Sequence, residues 1–293
     1  MNHWNYKVNE KLFSLRWDID HRACITDGLP KIIEVCEELD VANTFFVNMG
    51  KSTNLREWIG KGFSGSRAKL TDTESVNLIE KIGWGRFVYE TLRSRPVGFS
   101  CIPQLQELMA AGHELGLHGG SDHVVWSRKF SVMPEDIIRA DVQDTLDEYK
   151  SHFGSPAGFS SPGFKSDNRV MELVDDFGFL YNGDAIGGSP VRTVVDGVEL
   201  GHWTIPVTVC GPRTIPFIEW LSARGKTDDQ ILKEFEKQIE DQEFVVLYGH
   251  PCYEGLRTDL LRNIISRVQE LGYRVVTHEE VARRLSESSQ ELH

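Results

Sequence analysis

The sequence contains no CxxC pair, and its five cysteines (Cys24, Cys36, Cys101, Cys210, Cys252) are scattered and odd in number. No disulfide framework is expected, and a reducing compartment fits best. No apolar run is long enough to span a bilayer. Residues 1–10 hold no apolar segment of the kind that directs secretion. The expectation is a cytoplasmic protein without an integral membrane segment. Positive charge is in deficit: 32 Lys and Arg face 44 Asp and Glu, a formal net charge of -12. That balance argues against nucleic acid as a partner and against a broad electrostatic hold on an anionic membrane. It leaves a sugar or another small polar substrate compatible. No GxGxxG follows the first expected strand, which weakens a dinucleotide-binding reading. Neither an internal repeat nor a linker divides the chain.

What is present is an ordinary globular balance, 40% apolar and 26% charged over 293 residues, enough for one large α/β domain. Leu15-Arg16-Trp17-Asp18-Ile19-Asp20 reads as a buried strand ending in two carboxylates. Residues two apart share a strand face, so Asp18 and Asp20 project together. Asp27-Gly28-Leu29-Pro30 opens a helix, and residues 43–47 form the next strand, giving a βαβ start. The alternation breaks from Asn48 to Phe99, a stretch rich in Gly, Ser, Lys and Arg. This is read as an insertion with one helix near 73–82, whose Trp58, Phe63, Trp84, Phe87 and Tyr89 either line a substrate groove or pin the loop to the barrel, pinning being the preferred reading. Those aromatics are also the one feature compatible with peripheral membrane contact.

Beyond it, helices are expected at 102–111, 134–153, 168–177, 228–239 and 260–271. Strands are expected at 114–118, 158–161, 179–182, 244–248 and 273–276, with an extended stretch at 191–209 turning at Asp196-Gly197. Thr277-His278-Glu279-Glu280 fits a capping box on the last helix, and the polar tail from Ser286 is expected to fray. About seven βα units suggest a TIM-like barrel over about 13–285 within a single domain of 1–293. A doubly wound open sheet is the competing architecture.

In such barrels the chemistry sits at the C-terminal strand ends. Those ends read Asp18 and Asp20, then Asn48, His118, Ser161, Asp184 and His250. His118 and His123 flank Gly119-Gly120-Ser121-Asp122, and a tight glycine loop would fold both rings inward. With Asp20 they make a two-histidine, one-carboxylate set suited to a catalytic divalent ion. For any one histidine a hydrogen-bonded structural role is the plainer reading; the set favours metal. His250 precedes Pro251 and is placed as a general acid. Asp184 either orients that ring or is an ordinary turn residue. Cys252 is read as a bystander, and His21, His113, His152, His202 and His278 as structural or exposed.

Over residues 13–285 the sequence resembles the polysaccharide deacetylases of the NodB-homology type (carbohydrate esterase family 4). Asp18 and Asp20 look like that family's base and metal aspartates. Gly112-His113-Glu114-Leu115-Gly116-Leu117-His118 matches its Gly-His-Glu-x-Gly-x-His motif. Ser161-Pro162-Gly163-Phe164 resembles its third motif, and Leu247-Tyr248-Gly249-His250 its terminal catalytic histidine. The branch it looks most like deformylates undecaprenyl-phosphate-linked 4-deoxy-4-formamido-arabinose. Residues 15–20, 48–50, 181–184, 205–208 and 250–255, including Glu254, carry that likeness. Two departures stand out: the metal histidines are five residues apart rather than four, and Ser160-Ser161 stand where an arginine usually supports the base.

The resemblance implies a distorted (β/α)7 barrel of the α/β class and a divalent metal on Asp20, His118 and His123. Zn²⁺ is expected first, with Fe²⁺, Mn²⁺, Co²⁺ or Ni²⁺ also compatible. It further implies hydrolysis of an N-formyl or N-acetyl group on an amino sugar, nucleotide- or lipid-linked or free. Asp18 would be the base, His250 the acid, and Asn48, Ser161, Pro162, Gly163, Phe164, Asp184 and Glu254 the substrate-binding or supporting residues. Donors near Pro162-Gly163-Phe164 would hold the oxyanion. The rivals are a cyclic amide or ureide hydrolase on the same barrel, with or without metal, a non-haem iron oxygenase, and an inactive sugar-binding relative.

Overall fold

The computed structural model describes residues 10–52 and 95–290. Residues 53–94 of the expected insertion, with its helix and its aromatics, therefore lie outside the described residues. The strands are β1 (Lys11–Ile19), β2 (Thr44–Val47), β3 (Glu114–His118), β4 (Gly158–Ser160), β5 (Tyr181–Asn182), β6 (Val191–Val195), β7 (Val198–Thr204), β8 (Phe244–Gly249) and β9 (Tyr273–Val275). The helices are α1 (Leu29–Leu39), α2 (Ile102–Ala110), α3 (His123–Lys129), α4 (Glu135–Phe153), α5 (Asn168–Asp176), α6 (Phe217–Ala223), α7 (Asp228–Ile239), α8 (Thr258–Glu270) and α9 (His278–Gln290).

The strands pair in the order β6-β7-β5-β4-β3-β2-β1-β8, with β9 beside the start of β1. All pairings are parallel except the β6–β7 hairpin. Short parallel bridges, Ile186 to Val207 and Val209 to Leu247, carry the sheet round from β5 to β8. The result is the distorted, TIM-like α/β barrel expected, with one stave reduced to bridges.

Two helices lie outside the periodicity-based expectation. α3 and α6 have seven residues each, too short for the apolar repeat that reveals longer helices. The last helix, in turn, does not stop at Ser286: it runs to Gln290, and the hydroxyls of Ser286, Ser288 and Ser289 donate to carbonyls one turn back.

β1 shows why the barrel has two cores. Phe13, Leu15, Trp17 and Ile19 face the helix layer, joining the large cluster that includes Ile32, Val35 and Ile264. The alternate residues Leu12, Ser14, Arg16 and Asp18 are buried on the opposite face. That side holds Phe46, Tyr181, Val246 and Tyr248. The near-continuous burial of β1 and β8 is what a strand covered on both faces requires. Room for the interior rings comes from small residues: a Cβ on Gly158 would strike the Tyr181 ring at 2.0 Å.

The closed bottom of the barrel is polar. Glu114 accepts from Thr44 Oγ1 (2.8 Å), Tyr181 Oη (2.6 Å) and the Glu279 N–H at the start of α9 (2.9 Å). Burial raises its carboxyl to about 7. His278 sits above it, wholly buried between the Phe46 and Tyr181 rings, with neither ring nitrogen hydrogen-bonded among the described residues. Burial, aided by the Arg16 charge, pushes His278 down to about 3.

The two groups pull stability in opposite directions with pH. Glu114, raised in the fold, contributes stability present below its ordinary pKa of about 4.5 and lost as pH rises towards 7. His278, depressed, contributes stability present above about 6.5 and lost as pH falls. The prediction is comparative: between about pH 7 and about pH 5 the wild type loses Tm relative to His278→Phe. Parallel Tm curves for the two proteins would remove His278 as a source of acid lability.

Candidate active site

Asp18, Asp20, His118, His123 and His250 all border one cavity of about 260 Å³ at the C-terminal end of the strands. Phe164, Tyr248, Ile215 and Pro216 supply the apolar part of its lining. Asp20 follows directly on β1 and is the hub. Its Oδ1 lies 3.2 Å from His118 Nε2 and 3.1 Å from His123 Nε2, and its Oδ2 lies 3.4 Å from His250 Nε2. Burial alone would raise the Asp20 carboxyl, but the adjacent His123 charge overrides it and holds Asp20 well below the usual carboxylate range. Burial alone would lower His123, and Asp20 more than offsets it.

The five-residue histidine spacing is absorbed in two ways. Gly119 takes a left-handed φ of +69° and packs so closely on Pro162 that a Cβ would clash; a Cβ on Gly120 would collide with the Asp141 carboxylate. His123 then opens α3, which Asp122 caps through its carboxylate on the Val125 N–H (2.9 Å). A helix start turns the His123 ring back towards His118, leaving ring centroids 5.4 Å apart. His118 is itself fixed by Ser160, whose hydroxyl lies 2.7 Å from Nδ1. Ser160 is thus an orienting residue, a pattern typical of histidines that ligate metals.

Asp20, His118 and His123 offer one oxygen and two nitrogens, all within 4.8 Å of one another. Asp20 Oδ1 and His123 Nε2 are buried yet make no mutual hydrogen bond of good geometry. An oxygen and two imidazole nitrogens gathered this closely fit a divalent cation with open positions.

Asp18 is held by a residue to which the sequence reading gave no role. Arg16, two positions earlier on the same face of β1, donates Nε to Asp18 Oδ1 (2.8 Å) and Nη2 to Oδ2 (3.0 Å). Its Nη1 donates to the Gly183 carbonyl. The guanidinium is completely buried between the rings of Phe46 (4.8 Å) and Phe164 (4.7 Å). The arginine absent at Ser160-Ser161 is therefore replaced from β1. The i, i+2 rule that paired Asp18 with Asp20 would have found it.

The remaining candidates divide. Gly163 and Phe164 border the cavity, both in left-handed backbone (φ +62° and +56°). The facing lip carries Arg213 and Thr214, also left-handed, so strained non-glycine turns flank the pocket, as they often do at functional sites. Pro162 packs behind, against Gly119. The Phe164 N–H donates to Ser161 O (3.0 Å), so a backbone oxyanion donor from this turn would have to be Gly163. Asn48 is buried and ties the Gly50 N–H (2.8 Å) rather than facing the cavity. Asp184 does not reach the cavity either: it accepts from the Ser161 N–H (2.6 Å) and Asn182 Nδ2 (3.1 Å) and braces the turn. Glu254 accepts from the His250 N–H (2.8 Å). Glu219, on the unforeseen α6, borders the cavity while almost wholly buried.

No family model matches the sequence. A curated protein of Shewanella sediminis, assigned as a probable 4-deoxy-4-formamido-L-arabinose-phosphoundecaprenol deformylase, is 27% identical over 177 residues. The match covers 60% of this chain and 57% of that protein, so it spans little more than half of the relative's length. Among solved structures, a Mycobacterium smegmatis protein assigned as a polysaccharide deacetylase superposes with a TM-score of 0.64 at 15% identity, covering 95% and 92% of the two chains. Puue allantoinase gives 0.63 at 14% identity (96% and 91%). A pseudoenzyme of carbohydrate esterase family 4 from Bacillus anthracis gives 0.53 at 17% (94% and 66%). At these identities the structures establish the fold. That fold is the polysaccharide deacetylase barrel. The chain is thus similar in fold to the polysaccharide deacetylases, and over part of its sequence to the deformylase.

Two outcomes test this geometry. Elemental analysis of purified protein should find near-stoichiometric divalent metal that is lost in His123→Ala; a metal-free wild type that cannot be reloaded would refute the cluster. Arg16→Met, which leaves Asp18 buried without its partner, should lower unfolding stability by roughly 3–5 kcal/mol. A shift in the denaturant midpoint worth less than about 1 kcal/mol would show that the pair supports little.

Proposed function

We propose that the protein hydrolyses the N-acyl group, formyl or acetyl, of an amino sugar. The observation that carries this reading is the placement of Asp18 and His250 in one pocket with the Asp20–His118–His123 cluster. Amide hydrolysis needs a base for the attacking water and an acid for the leaving amine, and both must reach one reacting carbon. A divalent ion on the cluster would lower the pKa of water and polarise the acyl oxygen. Asp18, locked by Arg16, takes the proton of the attacking water. His250, braced through its own N–H by Glu254, delivers a proton to the departing amine. Phe164 and Tyr248 offer aromatic faces for a sugar ring, and Ile215 and Pro216 further apolar lining.

The deformylase match supports formyl as one acyl group, and the acetamido class follows from the same chemistry. No helix among the described residues is long and apolar enough to cross a membrane.

Asp18→Asn should keep its metal and lose turnover by roughly 10²–10⁴-fold on N-formyl or N-acetyl amino sugars. Retained turnover in that variant would sink the base assignment. Chelation should abolish wild-type activity, and added metal restore it; chelator-insensitive hydrolysis would favour the metal-free cyclic amide chemistry instead.

A further inference from the structure

His250 reaches the cavity from the end of β8, on a turn whose following Pro251 and Cys252 are buried. Its Nε2 faces Asp20 Oδ2 at 3.4 Å, and its Nδ1 is shut away from solvent. Two carboxylates close on the same ring. One nitrogen of His250 and one oxygen each of Glu219 and Glu254 lie within 4.8 Å of one another. Both glutamates are 1% exposed, and a carboxylate so buried is retained only where neighbouring polar groups compensate for lost water.

The two arrive by different routes. Glu254 folds back over Gly249, where a Cβ would lie 3.1 Å from its side chain, and accepts the His250 N–H. Glu219 comes from α6, and Arg257 fastens that helix to the His250 turn: its guanidinium donates to Ser222 Oγ on α6 and to the Asp228 carboxylate opening α7. Asp184, expected from sequence as a candidate for this role, is engaged with Ser161 and Asn182 instead.

We infer that Glu219 is a positioning residue for His250: its carboxylate, kept beside the ring by the α6–Arg257 clamp, fixes the imidazole so that Nε2 faces the reacting centre. The inference rests on the proposed role of His250 as proton donor. One Glu219 oxygen lies within 4.8 Å of a His250 ring nitrogen; as a positioning residue it acts through His250, on kcat rather than on binding.

A double-mutant cycle tests this on an N-formyl or N-acetyl amino sugar that the wild type hydrolyses. Glu219→Gln is expected to lower kcat roughly 100-fold, with KM within about twofold. In a His250→Ala background the same substitution should have no further effect. Equal fold-losses in both backgrounds, or a loss confined to KM, overturn the proposal. Crystal structures of the wild type and Glu219→Gln give a second arm that needs no substrate. A His250 ring that turns away from Asp20 in the variant supports the proposal, and one that keeps its place overturns it. Should Glu219→Gln not fold, Glu219→Asp takes its place in both arms. A wild type that hydrolyses none of these sugars removes the N-deacylase reading, and the crystallographic arm still decides what holds His250.

Discussion

The site depends on one buried ion pair. Arg16 lies flat between Phe46 and Phe164 and grips both oxygens of Asp18. A planar, bidentate cation suits this place in a way that lysine does not. The same guanidinium holds the Gly183 carbonyl as the chain leaves β5. From there the constraint spreads. Asp184, next in sequence, grips the Ser161 N–H, and Ser160 before it grips His118. Asp18, the left-handed Phe164 turn and His118 thus share one connected support beneath the cavity. An ion pair of this kind adds little stability over a well-packed apolar core, and removing one partner is costly. What it supplies is a fixed direction for the Asp18 carboxylate, which the proposed role as base requires.

Above that support the cavity has two unlike sides. One carries Asp20, His118 and His123, where a carboxylate shared among imidazoles is drawn below its usual range. The other carries His250 with Glu254 and Glu219 behind it. Asp20 touches both, through separate oxygens. In the proposed function Asp18 and His250 border this one cavity as base and acid beside the Asp20–His118–His123 cluster, which suits breaking a polar, unactivated bond such as an amide. The fold neighbours include a deacetylase, an allantoinase and a pseudoenzyme, so the barrel alone does not choose among these outcomes; the side chains at the strand ends do.

Much of this was legible along the chain, because strands and long helices announce themselves through local periodicity. The buried alternation of β1, the continuous apolar β8, the helix of α4 ending at Gly154 and the cap at Thr277 all follow from neighbours a few residues apart. The pairing of Asp18 with Asp20 follows from the strand's period of two, and their place with His118 and His250 from the rule that barrels work at strand ends. The same period should have drawn Arg16 in, but attention to the missing arginine at Ser160-Ser161 concealed its substitute on β1.

Other features had no local signature. The sequence by itself determined the βα alternation, the succession of strands along the chain and the residues available at their ends, since these rest on hydrophobic pattern and on chain direction; barrel and doubly wound sheet both fitted that pattern. Only the tertiary structure decided which of those residues meet. It folded Gly119 against Pro162 so that a five-residue spacing brings both imidazoles onto Asp20, and it turned Asp184 away from His250 towards Ser161. It also brought Glu219 from a seven-residue helix, 31 positions before the histidine it adjoins. These are contacts between elements far apart in sequence, set by how barrel and helices pack, and no periodicity along the chain encodes them.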